Sequence, residues 1–264
     1  MKYFLPLVFI VLDVFQNGAL AGMTSITLHG VTDTLSPEYQ KYGDALEIVV
    51  AAFREFEALF NDPDYHARRG WYMDYENSEG DVAYSKNTPL GKMITVRTEL
   101  PLTPEDVMNE TWHQMPDLPV WNDKIKYAQV VAAPTENFDI VAYGSNNVLI
   151  ASGRDFVSAR LRRKTENGHM LVSRSVDVEV PGLESVDGRV RAHLHLAGVC
   201  FQPHPKKPGH TLTNVVMLVD LKGMLPTFAV NRVLGRIALL DAVTNRHHFN
   251  DVKKRLDAER SLKP

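Results

Sequence analysis

The sequence predicts a single α+β domain, in which a curved antiparallel sheet of about nine strands closes around a long C-terminal helix, with another helix near the N-terminus. Apolar residues recur every three or four positions towards both ends of the chain, and short runs of period two lie between them. No repeat or long linker divides the 264 residues. Because a large sheet twists, we expect it to curl around the C-terminal helix and enclose a cavity.

The first helix begins at Ser36 and Pro37, a capping residue followed by proline at the first helical position, and it ends before residues 61–63. Its apolar positions have helical spacing: Tyr39, Tyr42, Leu46, Val49, Phe53, Phe56 and Phe60. From Trp71 the spacing changes to two. Three short runs separated by turn residues predict an antiparallel meander: Trp71–Glu76, Val82–Ser85 and Met93–Thr98.

A second, short helix is predicted from Thr103 to about Gln114, where Pro116 and Pro119 follow. Six further strands are predicted: Ile125–Ala132, Phe138–Tyr143, Phe156–Arg163, Met170–Val178, Val190–Phe201 and Leu212–Leu221. The dipeptide at 167–168, Asn-Gly, favours a tight primed turn between two of them. The last helix follows Pro226 and continues to about Ala258, which completes the α+β pattern.

Composition excludes several classes of protein. The chain is 44% hydrophobic and 23% charged, which is typical of a globular domain. Its net charge of −3 and pI near 6.4 leave no surplus of cations for a phosphate backbone, so we expect no nucleic-acid partner. The single cysteine, Cys200, excludes an internal disulfide and a Cys-rich zinc site. We expect a monomer stabilised by its core.

Residues 1–21 resemble a secretory signal peptide. Lys2 precedes the apolar run Phe4–Leu12, and Ala19–Ala21 has the spacing of a cleavage site. The run is shorter than the about 20 residues that cross a bilayer. We expect cleavage after this segment, which would leave residues 22–264 as one domain in the secretory lumen or outside the cell. The alternative is an extension without a targeting role on a cytoplasmic protein.

The sequence contains no recognised catalytic motif, neither a nucleophile elbow nor a phosphate-binding loop nor a metalloprotease helix. His193 and His195 would share one face of a strand, but two imidazoles are too few ligands for a metal site, and no third ligand stands at a recognisable spacing. We therefore predict a protein that is not an enzyme and that uses no metal and no cofactor.

The last helix carries an apolar stripe at Val230, Val233, Leu234, Ile237, Leu240, Val252 and Leu256. Asp241, Thr244 and His248 fall in the same sector of this helix. Polar groups on a buried face destabilise the fold unless they find partners, so this sector is predicted to line a cavity that holds water or the polar group of a ligand. Ordinary core packing is the alternative for the apolar stripe.

Three segments resemble the START (StAR-related lipid-transfer) domain family, and its sterol-binding branch in particular: Trp121-Asn122, Arg154–Arg160 (RDFVSAR), and Asp220–Pro226 (DLKGMLP) followed by Val230–Leu234 (VNRVL). Their order and spacing match from about Ser36 to Arg260. The resemblance implies a helix-grip fold with a tunnel for one lipid. It also implies a gate formed by the loop Gly144–Gly153 and the C-terminal helix.

Within this gate, the apolar triplet Val148, Leu149 and Ile150 is predicted to contact membrane, and its alternative role is to plug the end of the sheet. On the helix, the gate side chains are Val233, Ile237 and Leu240.

The resemblance places Arg160 inside the tunnel, with Ser158 on the same strand face. The family's usual cavity carboxylate would align with Val141, which cannot pair with a cation. A buried arginine needs a counter-charge, so we expect Asp139 or Asp241 to supply it. The alternative is a surface arginine.

The resemblance implies a non-enzymatic carrier of one sterol-like lipid, with cholesterol as the first candidate, that contacts membranes transiently. A storage protein for another apolar ligand, such as a carotenoid or a phospholipid, is the second hypothesis. An enzyme that uses the same cavity is the third.

Overall fold

The structure is a computed structural model that describes residues 23–147, 152–183, 188–224 and 227–261, without the side chains of 227–229 and 231–233. The signal-like segment and the triplet Val148–Ile150 lie outside the described residues. Within them, no helix is both long enough and apolar enough to cross a membrane.

Five α-helices are described: α1 Gly43–Asn61, α2 Pro63–His66, α3 Pro104–His113, α4 Leu118–Trp121 and α5 Thr227–Ser261. Two 3-10 turns, Pro37–Tyr42 and Met115–Asp117, precede α1 and α4. The prolines expected to end the second helix, Pro116 and Pro119, each lie at the second position of a new short helical element, because proline is tolerated in the first turn of a helix.

Twelve strands are described: β1 Ser25–Leu28, β2 Val31–Thr34, β3 Tyr72–Glu76, β4 Val82–Thr88, β5 Gly91–Leu100, β6 Ile125–Ala132, β7 Phe138–Ser145, β8 Arg154–Thr165, β9 Gly168–Ser175, β10 Val190–Arg191, β11 His193–Pro203 and β12 Thr211–Asp220. The hairpin β1–β2 was not predicted. The predicted strand Val190–Phe201 is divided in two, because its first residues pair in parallel with β8 while the rest pairs antiparallel with β9 and β12.

The described part of the chain has one large sheet with the order β3-β4-β5-β12-β11-β9-β8-β7-β6, to which β10 is added through β8. Neighbours along this path are antiparallel. The helix α1 packs on one face and α5 on the other. The predicted architecture, an antiparallel sheet gripping a long C-terminal helix, is therefore confirmed.

The hairpin predicted at Asn167-Gly168 forms, but its turn is not primed. Thr165 pairs with Gly168, so the two turn residues are Glu166 and Asn167, and neither has a positive φ. A Cβ at Gly168, which has φ 129°, would lie 2.3 Å from the carbonyl oxygen of Phe201. The glycine therefore permits β9 to approach β11, a requirement that the dipeptide alone does not reveal.

The outer face of the sheet holds the main core under α1. Phe53, Phe56 and Phe60 recur on one side of the helix and are fully or almost fully buried. A Cβ at Gly198 of β11 would lie 2.2 Å from the ring of Phe56, so this glycine lets the helix approach the sheet. Each buried phenylalanine contributes about 1.5–3 kcal/mol, which fixes one side of the sheet firmly.

The inner face carries two smaller clusters along α5. Leu234 belongs to the cluster near the start of the helix, and Phe249 and Val252 pack with Trp112 of α3 near its end. In between, a Cβ at Gly235 would lie 3.0 Å from a carboxylate oxygen of Asp74 on β3. Because glycine has no Cβ, α5 can pack closely against the edge strand β3.

Candidate functional site

A cavity of about 250 Å³ lies between the inner face of the sheet and the first half of α5. Its walls are mostly apolar. The sheet and its adjoining segments contribute Ile125, Tyr143, Phe156, Leu194, Met217, Val219 and Leu221, and the helix contributes Val230, Leu234 and Ile237. These walls suit the apolar body of a ligand.

The two aromatic wall residues, Tyr143 on β7 and Phe156 on β8, occupy paired positions in the sheet. Their rings stack at 4.9 Å between centroids with an interplanar angle of 15°. Burial raises the pKa of Tyr143, and Arg160 opposes that rise. The phenol therefore stays protonated at neutral pH.

Besides the Tyr143 hydroxyl, six residues give the lining its polar groups: Asn122, Lys124, Ser145, Ser152, Arg154 and Asp241. Two of them form an ion pair inside the cavity. Lys124 Nζ lies 3.4 Å from Asp241 Oδ1 and donates a 2.9 Å hydrogen bond to Thr244 Oγ1. Removal of the carboxylate from bulk water raises the pKa of Asp241, and Lys124 opposes that rise.

Lys124 is placed by the turn that follows α4. The side chain of Asn122 accepts a 3.1 Å hydrogen bond from the backbone N–H of Lys124, an Asx turn that fixes the chain where β6 begins. The neighbouring ring of Trp121 stacks on His248 of α5 at 4.0 Å and 13°. The motif Trp121-Asn122 therefore joins α4 to α5 and positions a cation that sequence reasoning missed.

Arg154 begins β8 and is almost fully buried at the edge of the cavity. Its Nε donates to the carbonyl of Leu221 at 3.0 Å and its Nη2 to that of Lys222 at 3.1 Å. Its Nη1 donates to the carbonyl of Ser152 at 2.7 Å. One guanidinium thus connects the segment that leads into α5 with the segment that leads into β8.

Arg160 lies further along β8 and pairs with Asp139 of β7. Its Nε and Nη2 donate to the two carboxylate oxygens at 2.8 and 2.6 Å, and Nη2 also donates to the carbonyl of Trp112 at 3.2 Å. The guanidinium carbon lies 4.5 Å from the centroid of the indole ring. Burial raises the pKa of Asp139, and the hydrogen bonds from Arg160 oppose that rise.

The side chains of β8 alternate as the sequence indicates. Phe156, Ser158 and Arg160 are buried on the inner side, while Val157 and Ala159 join the core under α1. Arg160 is therefore buried, and the alternative prediction of a surface arginine is wrong. Neither Arg160 nor Ser158 lines the cavity, although the Ser158 hydroxyl is buried without a hydrogen-bond partner among the described residues.

Of the two carboxylates that the sequence offers Arg160 as a counter-charge, Asp139 pairs with it and Asp241 does not. Asp241 does line the cavity, but its partner is Lys124, because α5 places this carboxylate beside the turn after α4. Asp139 lies directly opposite Arg160 in the register of β7 and β8, and this position lets the two side chains form an ion pair.

Three other predicted cavity residues lie outside the lining. Val141 is buried opposite Ser158. Thr244 holds Lys124 from the next turn of α5, and its hydroxyl also donates to the carbonyl of Leu240. His248 stacks on Trp121, and its Nε2 lies 3.2 Å from a carboxylate oxygen of Glu110, so it joins α5 to α3 and α4.

The predicted gate residues of α5 also differ in whether they line the cavity. Ile237 lines the cavity, but Leu240 does not, and its side chain is exposed because the helix turns it away from the sheet. The side chain of Val233 and the triplet Val148–Ile150 lie outside the described residues.

No group of three or more potential ligands that could hold a metal ion is found within the described ranges. His193 and His195 lie close together, with ring centroids 4.6 Å apart.

Residues 53–255 match the family model of the START domain. This segment is more than half of the chain, so the chain belongs to the START family, the class that the grip of the sheet on α5 and the cavity beneath this helix define.

Among curated proteins, steroidogenic acute regulatory-like protein 1 of Caenorhabditis elegans is 55% identical over 230 residues, 87% of this chain and 88% of the relative. The human mitochondrial steroidogenic acute regulatory protein is 24% identical over 196 residues, 72% of this chain and 65% of its own length. Among solved structures, human StAR-related lipid transfer protein 5 matches with a TM-score of 0.61 and 20% identity, over 78% of this chain and 99% of that one. The structural likeness supports the fold.

Proposed function

We propose that this chain is a non-enzymatic carrier that holds one sterol-like lipid, with cholesterol as the first candidate, and exchanges it with membranes. The observation that supports this most is the cavity of largely apolar wall beneath α5 in a START-family chain. Burial of apolar ligand surface contributes about 25 cal/mol per Å². A lipid held this way leaves slowly unless the cavity opens.

The cavity volume indicates that uptake requires movement. The described space of about 250 Å³ is below the about 300–1,000 Å³ that is usual for ligand sites. Opening would displace the first half of α5 or the segment next to Arg154. Both segments border the cavity, so we propose them as the gate.

The gate proposal predicts a specific role for the apolar triplet Val148–Ile150. Substitution Leu149→Asp should slow liposome-to-liposome transfer severalfold and leave the melting temperature nearly unchanged, because the sequence predicts this triplet to lie in a loop, and a loop tip contributes little to the core. A large loss of stability with normal transfer would show instead that the triplet belongs to the core.

The ligand is tested by native mass spectrometry of purified protein and of lipid extracted from it. The expected mass is one chain with one sterol, since we propose a monomer. A carotenoid or phospholipid without exchange between liposomes would replace the carrier proposal with storage. Conversion of the bound lipid into a product would contradict the non-enzymatic proposal.

We also propose that residues 1–21 are removed and that the carrier works in the secretory lumen or outside the cell, on the basis of the sequence features of that segment. N-terminal sequencing of the native protein tests this. A native chain that starts at Met1 would contradict export and favour the cytoplasm.

A further inference from the structure

We propose that Asn109 is a site of N-linked glycosylation, modified while the chain enters the secretory lumen and then displayed on the exposed side of α3. This modification rests on the proposed export of the chain and goes beyond the proposed lipid binding. Its starting point is Asn109-Glu110-Thr111, the one place in the 264 residues where Asn is followed two positions later by Ser or Thr with no proline between them.

Asn109 is presented to solvent by its position on α3. Three residues of this helix pack into the core, Val107, Met108 and Trp112, whereas Asn109 is exposed. Among the described residues, its side-chain amide makes no hydrogen bond. Glycosylation of this amide therefore removes no contact that stabilises the fold, and a bulky, hydrophilic group attached there remains in water.

The modification is a substitution at the anomeric carbon of an oligosaccharide that is carried on a lipid pyrophosphate. Nδ2 of Asn109 forms a bond to this carbon, and the bond from the carbon to the pyrophosphate oxygen breaks. The lipid pyrophosphate leaves with the electron pair, and the amide loses one proton. This chain supplies only the acceptor amide and the hydroxyl of Thr111, by which a transferase recognises the acceptor.

The folded helix does not present the acceptor in a form that a transferase can use. Thr111 is half-buried, and its hydroxyl donates a 2.8 Å hydrogen bond to the carbonyl of Val107. Residues two positions apart do not share a face of a helix, so this hydroxyl and the amide of Asn109 point in different directions. Glu110 between them lies 3.1 Å from the guanidinium of Arg255 on α5. The transfer therefore precedes the formation of α3.

The glycan lies far from the cavity. Glu110 of α3 pairs with Arg255 near the end of α5. The cavity lies under the first half of α5 and reaches along that helix to Asp241. Because an α-helix rises about 1.5 Å per residue, Arg255 is about 20 Å further along the axis than Asp241. A glycan on α3 thus leaves the proposed gate free to meet a membrane.

The test uses the full chain expressed in eukaryotic cells, with peptide mass spectrometry and N-terminal sequencing of the same purified protein. The wild-type peptide that contains Asn109 should carry N-acetylhexosamine and hexose, which a peptide N-glycosidase removes. Asn109→Gln should abolish this mass increase, and so should Thr111→Ala, which keeps the acceptor amide. Thr111→Ser should retain it. The control Asn250→Gln changes an exposed asparagine of α5 that is followed by Asp-Val, and it should alter nothing.

The outcomes distinguish this proposal from the two proposals beside it. A chain that begins near residue 22 and has an unmodified Asn109 would overturn the glycosylation proposal and leave export standing. A chain that begins at Met1 without a glycan would contradict both. Glycosylated protein that binds no lipid would contradict the carrier alone.

The position of the glycan is tested by lipid transfer between liposomes. The glycosylated wild type and Asn109→Gln should transfer at equal rates, because the glycan lies away from the gate. A severalfold change in rate at an unchanged melting temperature would contradict that placement.

Discussion

Among the ion pairs on the inner side of this molecule, Arg160–Asp139 and Lys124–Asp241 differ in burial and in the closeness of their contacts. Arg160–Asp139 joins neighbouring strands with two hydrogen bonds, is capped by Trp112 and is buried. Lys124–Asp241 joins a turn to α5, has a longer contact of 3.4 Å and faces the cavity. Removal of one partner from a buried, fully hydrogen-bonded pair leaves the other charge buried and is costly, whereas a longer and more exposed pair costs less to lose.

The difference also concerns what each pair holds in place. Asp139 and Arg160 are directly opposite in β7 and β8, so both members belong to one rigid sheet. Lys124 and Asp241 belong to different elements that border the cavity. Loss of the ion pair at Asp241 is therefore expected to affect the packing of α5, whereas loss of the pair at Asp139 is expected to affect the pairing of β7 and β8.

The largest effect is expected for Arg160→Leu, because it leaves Asp139 buried without a partner. We expect a loss of about 3–5 kcal/mol in the free energy of unfolding, measured with denaturant. The double variant Arg160→Leu with Asp139→Leu should recover much of this loss. Lys124→Met should lower the free energy of unfolding far less. An equal loss for Lys124→Met and Arg160→Leu would show that the two ion pairs contribute equally to stability.

A smaller, pH-dependent effect is expected for Asp241→Asn. The pKa of Asp241 is raised in the folded protein from an ordinary value of 3.8, so the folded state holds this proton more tightly than the unfolded state. Wild-type stability therefore falls as pH rises through the interval between the two pKa values, and the loss is complete at neutral pH.

The variant should consequently unfold at a higher denaturant concentration than the ligand-free wild type at pH 7, and the difference should vanish below about pH 4. Denaturant titrations between pH 3.5 and 7.5 measure it. A variant less stable than the wild type at pH 7 would show that attraction to Lys124 outweighs the cost of burial.

The smallest effect is expected for His248→Phe, which keeps a flat ring against Trp121. Burial lowers the pKa of His248, and Glu110 opposes this. The unfolded state therefore takes up the proton first as pH falls through about 6.5, which destabilises the wild type below that pH. The variant should lose less stability between pH 7 and 5.5 in thermal unfolding, and an equal loss in both proteins would contradict this role of His248.

The spacing of apolar residues was sufficient to predict the long helices and strands and the side chains on the inner face of β8. The alternation of Phe156, Ser158 and Arg160 with apolar residues predicted which side chains point inward, because strand geometry leaves only two faces. The hairpin of β1 and β2 escaped prediction, since four-residue strands carry too little pattern.

The partners within the site were harder to predict. Helical spacing placed Asp241, Thr244 and His248 in one sector, but that sector meets three environments along α5: the cavity, the turn that carries Lys124, and Trp121. Spacing along one helix defines a direction and not the neighbour found there. Lys124 was missed because a lone lysine in a turn has no pattern; only its position two residues after Asn122 indicates an ordered backbone.

The guanidinium of Arg154 has a kinetic consequence for loading. It donates hydrogen bonds to the carbonyls of Ser152, Leu221 and Lys222, so one side chain is bonded to both borders of the cavity. Withdrawal of the Leu221–Lys222 border must break the bonds from Nε and Nη2, whereas the bond from Nη1 to Ser152 can persist. If the proposed carrier loads by this opening, filling of empty protein by lipid from vesicles should follow one exponential, whose rate does not increase once vesicles are abundant.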